Sequence, residues 1–237
     1  MKDLHSHLLP GIDDGSNSME ESISLLKSAY ESGITDMMLT PHYMYKTDYK
    51  CNNKKKEKLF KELKDELIKN NIPINIYLGN EIYINEDIIK LIKKGDIHTL
   101  NNTKYILVEL PLDSEYKGAA NTLYNLTIKG YKVILAHPER YKFLQNNPDK
   151  IKEFIDNGIL LQGNYQSLFN RYGKKSKKLL KYYIKKRYIT LLGSDVHKNK
   201  EFNIKKLLFK LKFIANKSYR EDLLVNNFDK VINDIEI

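Results

Sequence analysis

Six histidines occur in the 237-residue chain: His5, His7, His42, His98, His137 and His197. Imidazole and carboxylate groups are the common protein ligands of divalent transition metals. His5-Ser6-His7 places two imidazoles two residues apart, on one side of an extended strand, because side chains there repeat with period two. That spacing suits one metal ion. Asp13-Asp14-Gly15 follows it and, taken alone, reads as a turn. Glu109 interrupts the apolar run Ile106–Leu110. A carboxylate buried in such a run is costly unless a cation or an Arg meets it. Gly193-Ser194-Asp195-Val196-His197 repeats the ligand pairing near the other end of the chain. Each motif alone is commonplace; the set is not. His5, His7, Asp14, His42, Glu81, Glu109, His137, Asp195 and His197 make nine ligand-type residues, more than the roughly four positions around one zinc. The expected cofactor is therefore a cluster of two or three divalent ions.

The elements that must position these residues alternate. Strands are expected over Met1–His7, Ile34–Thr40, Pro73–Leu78, Tyr105–Leu110, Lys132–Ala136, Ile159–Gln162 and Tyr188–Leu192. Helices fall between them: one opened by the capping box Ser18-Met19-Glu20-Glu21 and stopped by Gly33, then Asn53–Asn71, a segment near Asn85–Lys94, Gly118–Lys129, Pro148–Asn157 and Lys174–Lys186, with a helical remainder. No linker or low-complexity block divides residues 1–237, so one domain is expected. Repeated βα units imply parallel strands with helices outside, and seven of them fit an α/β barrel smaller than the eightfold one. All the ligand-type histidines except His98 lie at or beyond a strand's C-terminal end, as do Glu81, Glu109 and Asp195. That rim carries the active site in β/α barrels. The remaining strand ends in Gln162 and Asn164. His98 lies in the loop Gly95–Thr103 and reads as a surface residue.

Composition narrows the class. Hydrophobic residues make up 41% of the chain, enough for a sizeable core. No apolar run approaches the roughly 18 residues of a membrane span, and charged residues near the N-terminus argue against a leader. A single cysteine, Cys51, excludes an intrachain disulfide and suits a reducing compartment, so a soluble cytoplasmic protein is expected. Cys51 has Glu57 six residues on, where cysteine-based tyrosine phosphatases need an Arg, so it reads as a bystander. No P-loop and no G-x-S-x-G elbow is present. The net charge of +10 is concentrated: residues 171–220 hold 17 Lys or Arg against Asp195 and Glu201. Solvated helix faces account for this, and nucleic acid is not favoured as a partner.

At these residues the sequence resembles the PHP (polymerase and histidinol phosphatase) superfamily. It is most similar to the bacterial protein-tyrosine phosphatases encoded with capsule and exopolysaccharide systems. The likeness runs through Asp3-Leu4-His5-Ser6-His7, Asp13-Asp14-Gly15, Thr40-Pro41-His42, Gly79-Asn80-Glu81-Ile82-Tyr83, Val108-Glu109, Ala136-His137-Pro138-Glu139-Arg140-Tyr141 and Gly193-Ser194-Asp195-Val196-His197. The resemblance implies a single distorted (β/α)7 barrel with three divalent ions at the C-terminal rim of the strands, manganese first, with iron or zinc as alternatives. By that pattern His5, His7, Glu81 and Asp195 hold one ion. Glu81 bridges to a second, completed by Glu109 and His137, and Asp14, His42 and His197 hold the third. Arg140 matches the phosphate-contacting Arg, with His42 and His197 available for proton transfer. The implied substrate is phosphotyrosine on a protein, such as the tail of a membrane-associated bacterial tyrosine kinase that regulates capsule synthesis. Tyr43, Met44 and Tyr45 follow His42 and could flank an aromatic ring. One departure stands out: relatives carry a second Arg beyond the final His, where this chain has Lys198-Asn199-Lys200-Glu201-Phe202-Asn203. Lys198 or Lys200 could supply the charge but not the planar fork. The competing readings are a small-molecule phosphatase acting on a substrate like histidinol phosphate, a nucleic-acid phosphodiesterase, and a metal-binding partner that docks a kinase tail.

Overall fold

The computed structural model describes residues 1–198 and 201–237. The strands are β1 (Lys2–Asp3), β2 (Asp36–Leu39), β3 (His42–Tyr43), β4 (Asn75–Leu78), β5 (Glu81–Tyr83), β6 (Tyr105–Glu109), β7 (Lys132–Ala136), β8 (Leu160–Asn164) and β9 (Leu191–Gly193). Every pairing is parallel. β1, β2 and β4 form one strip, and β3, β5, β6, β7, β8 and β9 form the other. The two strips follow from two kinks. The segment expected as Ile34–Thr40 breaks at Thr40-Pro41 and resumes as β3. The strand expected to end at Leu78 breaks at Gly79-Asn80 and resumes as β5. Proline supplies no backbone N–H for a ladder, which accounts for the first break.

The sheet is curled. Its first and last strand segments meet where Ser6 bridges Val196 in parallel. Asp195 N donates to His5 O at 2.8 Å, and His7 N donates to Val196 O at 2.8 Å. Alternation along β6 and β7 sorts the core into two parts. Tyr105, Leu107, Ile134 and Ala136 join Leu4, Met38 and Leu191 on the inner face. Ile106, Val108, Val133 and Leu135 face outward under the helices. Glu109 has the same parity as Tyr105 and Leu107, so it lies at the inner end of β6.

Helices α1 (Met19–Ser32), α2 (Asn53–Lys69), α3 (Ile88–Lys94), α4 (Ala119–Ile128), α5 (Lys142–Asn146), α6 (Ile151–Asp156) and α7 (Gly173–Lys185) alternate with the strands. Helices α8 (Ile204–Leu211), α9 (Lys217–Glu221) and α10 (Asn227–Ile232) follow β9. Helix α1 starts as its sequence requires: the Ser18 hydroxyl accepts from Glu21 N. Only half of the reciprocal box forms, because the Glu21 carboxylate reaches back to Asn17 N at 2.7 Å instead of Ser18 N. The Pro148–Asn157 helix is divided into a 3-10 turn, Pro148–Lys150, and α6. Helix α10 plugs the end of the sheet opposite the ligand-bearing rim. Phe228 and Val231 complete the inner core, and Tyr105 Oη donates to Ile235 O at 2.6 Å. No helix of the described residues is long and apolar enough to cross a membrane.

Candidate metal centre

Glu81 lies at the centre of the cluster because the strand register puts it there. His42 on β3 pairs directly with Glu81 on β5, and Tyr83 of β5 is level with Glu109 on β6. Glu81 Oε2 lies 3.3 Å from His5 Nε2, 3.3 Å from His7 Nε2 and 2.9 Å from His42 Nδ1. Its other oxygen, Oε1, is 3.0 Å from His137 Nε2, which is in turn 3.4 Å from Glu109. Asp195 Oδ1 approaches His7 Nε2 at 3.3 Å and His5 Nε2 at 3.5 Å. Asp14 lies 3.4 Å from His197 and 3.7 Å from His42. Three groups have ligand atoms within 4.8 Å of one another: His5, His7 and Glu81; His42, Glu81 and Glu109; and His7, Asp14, His42 and His197. Glu81 and His42 each belong to two of these groups, as does His7.

The donor set fits cations. His5 Nδ1 donates to Gln162 Oε1 at 2.9 Å, and His7 Nδ1 donates to Asp13 Oδ2 at 2.7 Å. With both Nδ1 positions engaged as donors, neutral rings turn their Nε2 lone pairs toward each other, only 3.1 Å apart. Two facing acceptors repel unless something positive lies beside them. Glu81 Oε2 and His42 Nδ1 are likewise buried with no properly oriented hydrogen bond. Fixing the tautomer through the second ring nitrogen is the usual support of a metal-binding imidazole.

The protein field is arranged around the same atoms. Burial works against ionisation of Glu81, but His5, His42 and His137 outweigh it and hold the carboxyl well below the usual range. Asp195 is depressed in the same way, by His5, His7 and Arg140 against burial. Asp13 falls to about 2 because His7 overcomes its burial. Burial and Arg140 oppose charge on His137, yet Glu109 and Glu81 raise it to about 9. Two of these residues also hold strained backbones: His137 has φ 32° and Asp195 has φ 52°, left-handed values uncommon for residues other than glycine.

Several supporting residues carry no signal that residue type alone reveals. Asp13 braces His7 and also accepts from His42 N at 2.9 Å and Gly15 N at 3.0 Å. Gly15 is required by close approach: a Cβ there would lie 1.9 Å from His7 O. The strand that lacks a ligand provides support instead, through Gln162 on His5 and Asn164 Nδ2 on Asp195 Oδ2 at 3.0 Å.

Two expectations need correction. His98 is buried, not a surface residue, because its backbone N–H donates to Asn80 Oδ1 and its ring lies 3.2 Å from Glu57. Tyr43 lies in the core and cannot flank a substrate; Tyr49 stacks on His42 instead, at 5.9 Å between centroids. Arg140 does not pair with Glu139, which is buried and accepts from Ser167 Oγ and Asn164 N. It donates to Asp195 Oδ2 at 2.5 Å, and its guanidinium lies 4.3 Å from the centre of the Tyr172 ring. Lys198 is exposed and donates to Asn17 Oδ1, while Lys200 lies outside the described residues. Cys51 belongs to none of the ligand groups, and burial raises its thiol pKa, which suits no nucleophile.

Comparison with known proteins gives concordant results. A family model for capsular polysaccharide synthesis proteins of the CpsB/CapC type matches residues 1–233. A putative tyrosine-protein phosphatase, CapC, of Staphylococcus aureus is 36% identical over 225 residues, covering 94% of this chain and 87% of its own. The tyrosine-protein phosphatase YwqE of Bacillus subtilis strain 168 is 32% identical, covering 89% and 84%. A solved structure from a study of YwqE of Bacillus subtilis and CpsB of Streptococcus pneumoniae, described as unique metal-dependent tyrosine phosphatases, superposes with a TM-score of 0.92 at 30% identity, covering 100% of this chain and 96% of that one. The phosphotriesterase homology protein of Escherichia coli shares the fold alone, with a TM-score of 0.59 at 12% identity, covering 94% and 95%.

Proposed function

Because the chain belongs to the CpsB/CapC family of capsular polysaccharide synthesis proteins, we infer that it is a metal-dependent protein-tyrosine phosphatase of a capsule or exopolysaccharide system. The observation that carries this reading is the sharing of one buried carboxylate, Glu81, among four imidazoles from three strand ends, with Arg140 beside them. We read the curled sheet as a distorted (β/α)7 barrel of the PHP type, in which His5, His7, Glu81 and Asp195, then Glu81, Glu109 and His137, then Asp14, His42 and His197 would hold up to three manganese ions. Bound there, divalent ions supply Lewis-acid polarisation of the phosphoryl group and a water made acidic enough to attack near neutral pH. Arg140 binds the phosphate oxygens and offsets their charge, held in place by Asp195 and by the face of Tyr172. Where only two ions are bound, His42 and His197, partly open at the mouth of the site, are free to donate a proton to the departing phenolate. Little acid help is needed, since tyrosine's pKa is about 10. The proposed partner is the phosphorylated tail of a membrane-associated tyrosine kinase in the cytoplasm.

The test is turnover of manganese-loaded protein on a phosphotyrosine peptide, histidinol phosphate and single-stranded DNA in parallel. Preference for the peptide, lost on chelation, is expected. Faster turnover of histidinol phosphate or cleavage of DNA would overturn the assignment of substrate.

A further inference from the structure

Helix α8 is anchored by Ile204, Leu207 and Leu211, all buried. Its outer face and the turn after it carry Lys205, Lys206, Phe209, Lys210, Lys212 and Phe213. Phe209 is 62% exposed and Phe213 71%, high values for large apolar rings on a single protein chain, where exposed patches of this kind usually mark an interaction site. The two rings pack edge to face with centroids 5.0 Å apart, so they project as one apolar wedge. Beside the wedge a cavity of about 570 Å³ opens between α8 and α7, with Leu168 at its floor and Lys177 and Lys181 on the α7 side. No carboxylate forms a salt bridge with Lys177, Lys181, Lys205, Lys206 or Lys210 among the described residues.

We propose that this face docks on an anionic phospholipid bilayer, with Phe209 and Phe213 inserted at the headgroup–acyl boundary and the lysines of α7 and α8 on lipid phosphates. An apolar wedge within a cationic rim matches both halves of that boundary. A nucleic acid matches less well. Bases stack on open aromatic faces, and here the edge of one ring covers the face of the other. The nearby cations on α7 and α8 are also all lysine, point charges suited to headgroups and without the planar fork that reads bases.

The chain has no tryptophan, so Phe209→Trp introduces a single reporter on the proposed face. With vesicles of phosphatidylglycerol and phosphatidylcholine in equal parts, its emission is expected to shift to the blue, with full-length protein co-sedimenting. Pure phosphatidylcholine vesicles should bind at least about tenfold more weakly, and raised salt should release the protein. Phe209→Ser with Phe213→Ser, and separately Lys205→Glu with Lys206→Glu, should each weaken binding about tenfold or more. Melting temperature and turnover of a soluble phosphotyrosine peptide should remain at wild-type levels in both double variants. The proposal is overturned by absence of binding, by equal binding to neutral vesicles, or by binding that neither double variant weakens. It is equally overturned if the wedge instead mediates a dimer, or binds an acidic peptide or single-stranded DNA, while vesicles leave the indole emission of the Phe209→Trp protein unmoved.

Discussion

Arg140 shows how much a single side chain's neighbours decide. Its guanidinium is held on two sides, by Asp195 and by Tyr172, and most of the side chain is out of water. A hydrogen bond to a charged group is worth about 1.5–3 kcal/mol, so Arg140→Ala should lower kcat/KM about ten- to a hundredfold with metal content unchanged. Arg140→Lys should recover only part of the loss, because an ammonium lacks the fork. Loss of bound metal in a folded Arg140→Ala protein would place Arg140 among the metal supports instead. Lys56 lies outside the ligand groups but just behind them, bonded to Asn80, the chain neighbour of Glu81. It is fully buried on α2, donates to Asn80 Oδ1 at 2.5 Å and to Asp96 O at 3.1 Å, and among the described residues faces no carboxylate at salt-bridge distance. Burial brings its pKa from the ordinary 10.5 down to about 7. Between those values the unfolded chain holds a proton that the folded chain has released, so this group makes stability rise with pH across that window. Below about pH 7 the folded state carries the full cost of the buried charge. Lys56→Met removes that cost, so its melting temperature relative to wild type should be highest near about pH 6 and decline toward about pH 10. A difference independent of pH would show that folding leaves the Lys56 pKa at its unfolded value.

At the scale of elements, the loop between β1 and α1 is the least replaceable part of the site. It carries Asp13, which braces His7, and Asp14, which faces His42 and His197. It also folds back on the strand, with Ser16 N donating to His7 O at 3.0 Å. Gly15→Ala would drive a methyl into that carbonyl. The expected result is a melting temperature lower by several degrees and weaker metal binding, measured by elemental analysis after dialysis against a metal buffer. Retention of both would mean that the loop can re-route. Ser18→Ala, a few residues on, removes only the N-cap of α1 and should cost about 1 kcal/mol in chemical denaturation without touching metal content. The contrast separates an element that positions ligands from one that supports the fold.

For the whole molecule, the curled sheet concentrates carboxylates at one end and closes the other with α10. Glu81, Glu109 and Asp195 are all buried within a few ångströms of five imidazoles. A ligand that binds only the folded state stabilises it by mass action. Chelation should therefore lower the melting temperature by about 5 °C or more and abolish phosphatase activity, and added manganese should restore both. Activity lost with the melting temperature unchanged would argue that the ions bind at the surface of the cluster and contribute little to folding. Cys51→Ser should leave turnover at the wild-type level, since its half-exposed thiol stands outside every ligand group.

The residue types and their placement at strand ends were legible in the sequence, because βα alternation leaves a hydrophobic period that single residues such as Glu109 visibly interrupt. So was the start of α1 at Ser18, where capping depends on groups only three residues apart. What the sequence could not hold is which residues meet across the sheet. Gln162 and Asn164 read as weak ligands by type, and the curl brings them onto His5 and Asp195, while Asp13 reads as part of a turn, and the fold-back of its own loop sets it on His7. His98 and Tyr43 read as loop residues open to solvent or substrate, yet Asn80, 18 residues from His98, and Lys56, on the next helix, draw them inward. Arg140 could have paired with its neighbour Glu139; only the packing of β8 against the turn after β7 buried that carboxylate and turned the guanidinium toward Asp195. Local periodicity records where a residue lies along its own element. Partners separated by 25 to 157 positions are chosen by strand register and closure, and those exist only in the folded chain.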